Sequence, residues 1–201
     1  MKNLLVFALA SFVPALATAS EWDIDPAHSA AQFSVRHLMV SNIRGEFGKV
    51  TGTVNLDDKD ITKSTVEATI DATSIITRDE KRDGHLKSPD FFDVAKFPTV
   101  TFKSTKVEKA GKDKYKVHGD LTIHGVTKSV VLAVEGSAEQ KDPWGNVKRG
   151  FAATTKINRK DFGLAWNKAL ETGGVVVGEE IAITLDIEAA KKVAAPAPAA
   201  K

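Results

Sequence analysis

The chain has 201 residues, with 28 basic and 26 acidic side chains, five histidines and no cysteine. That length suits one domain or two small ones, and 42% hydrophobic against 27% charged residues supplies a packed core. The missing cysteine excludes disulfides, thiolate metal sites, a thiol nucleophile and a lipidated N-terminal cysteine, while a net charge of +2 offers no case for nucleic acid.

Residues 1–19 read as a cleavable secretory signal peptide. Lys2 is the only charge there, an apolar stretch runs from Leu4 to Leu16, and Ala17-Thr18-Ala19 places small residues before the cut. The stretch is shorter than the roughly 18–20 residues a membrane span needs, and Pro14 interrupts it. No later run approaches spanning length, so the mature chain is expected to be exported without a transmembrane span.

The body, residues 20–190, alternates apolar and polar positions with period 2. The first segment, 29–36, carries Ala31, Phe33 and Val35. Next come 49–57, with Val50, Gly52, Val54 and Leu56, and 64–72, with Val66, Ala68, Ile70 and Ala72. Thr77-Arg78-Asp79-Glu80 has capping-box spacing and predicts a helix over Lys81–Lys87, weakened by Gly84 and ended near Pro89; a further turn is expected at 90–95. Val100 and Phe102 mark the fourth strand. The others hold Val117, Gly119, Leu121 and Ile123; Val130, Leu132 and Val134; Phe151, Ala153, Thr155 and Ile157; and Ile181, Ile183, Leu185 and Ile187. Turn chemistry stands at Asp57–Asp60, Ala110–Asp113 and Asp142–Asn146. Residues 191–201, KKVAAPAPAAK, read as a flexible Lys/Ala/Pro tail.

Eight amphipathic strands belong in antiparallel sheet, as a sandwich or a closed barrel, and closure removes exposed edges. An eight-stranded barrel is just wide enough to be filled by side chains or to hold one small ligand. The inward small residues Ala31, Gly52, Ala68, Ala72, Gly119 and Ala153 therefore have two readings: space for something apolar, or points where strands bend and approach closely.

Catalytic signatures such as G-x-S-x-G, the P-loop and H-E-x-x-H do not occur. His28, His37, His85, His118 and His124 show no metal-ligand spacing, and no metal site is expected. Cations gather at Arg36-His37, Arg44, Arg78, Lys81-Arg82, His85 and Lys87, beside the aromatic run Phe91–Pro98. They fit a solvated face, or the neighbourhood of an amphipathic ligand with an anionic head.

Five ordered segments carry a resemblance: HSAAQFSVRHLMVSNIRGEF (28–47), TIDATSIITRDEKRDGHLKSPDFF (69–92), FPTVTFKST (97–105), LTIHGVTKSVVL (121–132) and INRKDFGLAWN (157–167). With GGVVVGEEIAITLDIEA (173–189), they span the whole body, which resembles the YceI-like family of bacterial polyisoprenoid-binding, lipocalin-like proteins. The resemblance implies an all-β fold, an eight-stranded antiparallel lipocalin-like barrel with one short helix between strands. It implies a periplasmic protein without catalytic activity or cofactor, binding, carrying or storing a long-chain isoprenoid lipid: a polyprenyl phosphate, an isoprenoid quinone or similar. On that reading the candidates for lining the ligand tail are Phe33, Val35, Phe47, Ile70, Phe91, Phe92, Phe102, Leu121, Phe151, Leu164 and Trp166. The head-group candidates are Arg36, His37, Arg44, Arg82 and His85, while the Asn158–Asp161 run and Phe162 read as turn structure. A homodimer is compatible with the sequence. The alternative is a protein-interaction module in surface or stress physiology, with a filled barrel and an exposed apolar patch. An enzyme would require a His–carboxylate pair converging inside a pocket.

Overall fold

The alternating pattern becomes twelve β-strands and one α-helix among residues 19–171 and 173–192, those described by the computed structural model. The strands are β1 (Ala19–Ile24), β2 (Ala30–His37), β3 (Ser41–Phe47), β4 (Val50–Asp57), β5 (Thr65–Asp71), β6 (Ile75–Ile76), β7 (Thr99–Gly111), β8 (Lys114–Ile123), β9 (Val126–Gly136), β10 (Gln140–Lys141), β11 (Val147–Asn158) and β12 (Val177–Lys191). The helix α1 (Glu80–Lys87) lies between β6 and β7. Most of the expected signal peptide, 1–18, and most of the expected tail, 193–201, lie outside the described residues.

The twelve strands form eight staves. β1 and β2 both run antiparallel along β12, with Ile24 opposite Ala189 and Ala30 opposite Asp186, so they make one interrupted stave. β3 pairs with β2 and β4 with β1, giving the second stave; β6 pairs with β3 and β5 with β4, giving the third. β7, β8, β9, β11 and β12 complete the set, and the long β11–β12 ladder closes an eight-stranded antiparallel barrel. Each of the eight alternating segments read from the sequence lies on a different stave. β10 is a two-residue flap on β11. β12 continues to Lys191, whose register partner is Trp22, so the strand takes in the first residue assigned to the tail.

All the long connections lie at one end of the barrel, here called the lid end: 77–98, which contains α1, and 159–176. The helix begins one residue earlier than expected and its N-cap is Asp79, whose side chain accepts from Arg82 N. Thr77 is not the cap. It is buried, its hydroxyl donates to Asp83 and accepts from Arg82 Nε at 2.7 Å, and its carbonyl accepts from Arg82 Nη2 at 2.7 Å. This clamp ties the solvated helix to the end of the third stave. Turns follow over 89–96, where the 90–95 turn was expected.

The barrel wall is uneven. β9 pairs with β11 only at 133–136 against 151–154. Beyond that the two strands part, bridged by a bond from Thr155 Oγ1 to Val131 O at 2.9 Å. The 3-10 turn Arg159–Phe162 packs at this seam. It ends on Gly163, whose left-handed backbone (φ 80°) lets its N–H reach Lys160 O and returns the chain so that Phe162 and Leu164 are both buried.

Candidate functional site

Inside the barrel is an apolar lumen of about 260 Å³, with side chains from all eight staves, α1 and the 3-10 turn on its wall. The inward face of each stave is mostly Val, Ile, Leu, Phe or Ala at alternate positions, as the period-2 pattern dictates, with Tyr115 on β8 and Thr155 on β11 among them. Leu86 from α1, Phe91 and Phe92 behind it, and Phe162 and Leu164 from the seam contribute at the lid end. Apolar walls of this size stay dry and take apolar guests.

Ten of the eleven tail-lining candidates lie on this wall: Phe33, Val35, Phe47, Ile70, Phe91, Phe92, Phe102, Leu121, Phe151 and Leu164. Trp166 does not; it stands behind Phe91, 5.3 Å between ring centroids, and edge-on to His85 at 4.9 Å. The small residues divide. Ala31, Ala68 and Ala153 are on the wall. Ala72 is packed in the core, and Gly52 and Gly119 mark close approaches. A Cβ on Gly119 would sit 2.4 Å from the Phe102 ring and one on Gly52 would meet Glu67 O at 2.1 Å.

The five head-group candidates are not brought together, and none is on the lumen wall. Arg36 and Arg44 share the outward face of β2 and β3, the opposite parity from the lumen-lining Phe33 and Val35, and Arg36 Nη2 bonds Met39 O at 3.1 Å. His37 ends β2. Arg82 is held in the Thr77 clamp. His85 bonds the Asp90 carboxylate at 2.8 Å on the surface, edge-on to Phe91. The other His–carboxylate contacts, His28 with Asp25 and His118 with Glu108, also lie outside the lumen. Asp25, His28 and Glu188 converge closely enough to suggest a cation site, but Lys148 Nζ already bonds the two carboxylates at 2.8 and 3.0 Å. Those bonds, Lys148 first and His28 next, hold the Asp25 carboxyl well below the usual range.

The residue that sequence reasoning missed is Arg159. It was read as turn chemistry, yet it is 3% exposed and part of the lumen wall. Nε donates to Gly178 O at 2.9 Å, Nη1 to Leu164 O and Nη2 to Val177 O at 3.3 Å. None of the ion pairs among the described residues includes it, and the nearby Glu179 carboxylate is bonded to Lys160 at 2.5 Å instead. Burial pulls the guanidinium's pKa below its usual value, with Glu179 opposing the shift from a distance. A lone Arg in a polar turn carries no sequence signal of burial; only the hydrophobic pair Phe162 and Leu164 beside it hinted that the turn folds inward.

A family model described as a YceI-like domain matches residues 22–189. Protein YceI of Salmonella newport is 42% identical over 167 residues, covering 81% of this chain and 87% of the relative. A UPF0312 protein of Vibrio cholerae is 40% identical over 167 residues, 81% of this chain and 88% of its own. Among solved structures, the Campylobacter jejuni YCEI protein is 34% identical with a TM-score of 0.67, covering 78% of this chain and 90% of that one. Burkholderia cenocepacia BcnA, 24% identical, superposes with a TM-score of 0.72 over 82% of this chain and 98% of its own. A polyisoprenoid binding domain from Saccharophagus degradans, 16% identical, shares the fold with a TM-score of 0.61 over 85% and 98%.

Proposed function

The chain belongs to the YceI-like domain family, and from that premise we propose that it binds an isoprenoid-type lipid inside its barrel, as a periplasmic carrier or store. The observation that carries the reading is the apolar lumen of about 260 Å³, walled by every stave. A barrel packed solid, as an interaction module would have, is not what the wall encloses. The polyisoprenoid binding domain from Saccharophagus degradans has the same architecture, which supports the ligand class. Among the described residues no helix is long and apolar enough to cross a membrane.

Physically, affinity comes from the tail. A cavity of about 150 Å³ accommodates benzene, so 260 Å³ takes roughly ten carbons. Burying ten CH₂-sized groups contributes about 8 kcal/mol gross, before association and ordering costs. A longer tail has to emerge from the lumen or push the lid-end side chains apart. Among the described residues the His–carboxylate pairs lie outside the lumen.

Native mass spectrometry of the exported protein from its own periplasm, followed by lipid extraction, tests the reading. An isoprenoid quinone or polyprenyl lipid in one-to-one complex is the expected result. Empty protein that also takes up no added farnesol, polyprenyl phosphate or quinone would refute it.

A further inference from the structure

The segment Ser34–Arg44, SVRHLMVSNIR, has two arginines and a histidine, no carboxylate, and three consecutive apolar residues at its middle. Those three, Leu38, Met39 and Val40, turn the chain from β2 into β3 at the lid end. Val40 N donates to His37 O at 3.0 Å, and both central residues have positive φ, 48° at Leu38 and 61° at Met39. A hairpin turn of this hand favours Asn-Gly, because the left-handed region crowds a Cβ. Leu and Met occupy it here without gaining burial: both are exposed, and Val40 is 74% exposed. Strain of this kind clusters at functional positions. The other exposed large apolar side chains among the described residues, Ile76, Val131 and Trp144, are scattered along the chain, so the turn is where they are consecutive.

The loop before β12 enlarges this tip. Leu38 N donates to Val176 O at 2.8 Å, and Met39 Cγ lies 3.1 Å from where a Cβ on Gly174 would be. The loop adds half-buried Leu170 and Val175, exposed Lys168, and Glu171 as its one carboxylate. Arg36 donates to Met39 O at 3.1 Å and shares the outward β2–β3 face with Arg44. The carboxylates at the start of β12 are already engaged, Glu179 by Lys160 and Glu180 by Lys156. The tip is also continuous with the lumen: Val35, two residues before His37, and Val177, the register partner of His37, are on its wall. We propose that this tip docks on an anionic lipid bilayer. Leu38, Met39 and Val40 enter the interface, while Arg36, Arg44 and Lys168 meet the anionic headgroups. A bilayer takes both at once, since its acyl boundary accepts apolar side chains and its surface potential attracts cations. Docked this way, the lumen's rim faces the membrane. The contact does not require a filled lumen, so it stands or falls apart from the lipid-binding reading.

The test sediments exported, delipidated protein with phosphatidylcholine vesicles, with and without about one third phosphatidylglycerol, all forms sharing one N-terminus. A cation near an anionic surface contributes about five-fold, so anionic vesicles should be bound at least about 10-fold more tightly than neutral ones. That excess should shrink in about 0.5 M salt. Leu38→Asn combined with Met39→Gly installs the residues the turn favours: binding should fall about 10-fold or more while Tm holds or rises. Arg36→Gln combined with Arg44→Gln should erase most of the preference for anionic vesicles and leave binding to neutral ones as it was. Should the turn variant not fold, Val40→Asp carries the same expected loss of binding. Wild-type protein that does not prefer anionic vesicles, or a folded turn variant that binds them as tightly, would overturn the assignment. Sedimentation-velocity self-association that the turn variant abolishes, without vesicle binding by the wild type, would overturn it in favour of a second copy of the chain.

Discussion

Ala153→Phe places a ring inside the lumen from a stave that otherwise stays as it is. Ala153 is on β11, 5% exposed, in register between Val134 of β9 and Leu185 of β12, and it faces the lumen. A cavity of about 150 Å³ is filled by one benzene ring, so the new side chain takes over half of the 260 Å³ available. Room for roughly ten carbons becomes room for roughly four. At about 0.8 kcal/mol per CH₂, six displaced carbons remove about 5 kcal/mol of tail burial. If half of that survives association and ordering costs, farnesol affinity falls by about 70-fold or more. The assay is competition binding on delipidated protein, run beside thermal unfolding. The ring enters an apolar void, so stability should change by no more than the 1–3 kcal/mol typical of overpacking. Gly119→Ala is the matched control. Its Cβ would meet the Phe102 ring at 2.4 Å and Lys103 O at 2.6 Å, so it should lower stability by about 1–3 kcal/mol while adding one methyl rather than a ring beside the lumen, and its loss of farnesol affinity should be much the smaller. A folded Ala153→Phe that binds farnesol as tightly as the wild type would show that the tail does not occupy this lumen.

Three further outcomes follow from other parts of the structure. In a series of C10, C15 and C20 isoprenoid alcohols, the affinity gain per carbon should drop beyond about ten carbons, and a full increment through C20 would mean the lumen expands to fit. Thr77→Val removes the hydroxyl between Asp83 and Arg82, at a cost of about 1–3 kcal/mol or roughly 2–12 °C in Tm; an unchanged melting curve would show the clamp carries no stability. The third concerns pH. Because the Asp25 carboxyl is depressed by Lys148 and then His28, its stabilising share is complete above the ordinary Asp range, near pH 4, and is lost as pH falls through the lower folded value. The Lys148 ammonium, raised by Asp25 and then Glu188, keeps its share until pH rises past the usual Lys range. Tm measured from pH 7 to pH 2 should therefore fall less in Asp25→Asn than in the wild type, and parallel curves would contradict the linkage.

All eight staves were legible because period 2 survives in each of them. What was lost are the segments where the pattern is interrupted for a reason. β3, SNIRGEF, has Gly45 between Ile43 and Phe47, and the Phe33 ring of the paired strand lies where a Cβ would be, 2.4 Å away. β1 offers only Trp22 and Ile24 as apolar markers, directly after a run read as leader, yet Trp22 is among the most buried side chains. β6 and β10 are two residues each, too short for any period. Thr77 looked like a cap because its spacing to Glu80 was right; Asp79 caps instead, and Thr77 turns inward to a clamp that only the tertiary fold assembles.

The glycines and Arg159 show why the site was harder to read than the barrel. Gly52 and Gly119 on inward faces were read as possible room, but a Cβ on Gly119 would meet the Phe102 ring of the neighbouring strand and one on Gly52 would meet Glu67 O. The lumen therefore depends on alanines, at positions 31, 68 and 153, and on where the Phe rings turn. Charge misled in the same way. The cations Arg36, Arg44, Arg82 and His85 were conspicuous in sequence, yet parity and local bonds turn each away from the lumen. Arg159 is singular only after folding, when the seam between β9 and β11 draws its turn inward and removes it from water. Burial converts an ordinary turn cation into the tie that fastens the 3-10 turn to the start of β12, through bonds to Gly178 O and Val177 O that the density of charge in the sequence does not announce.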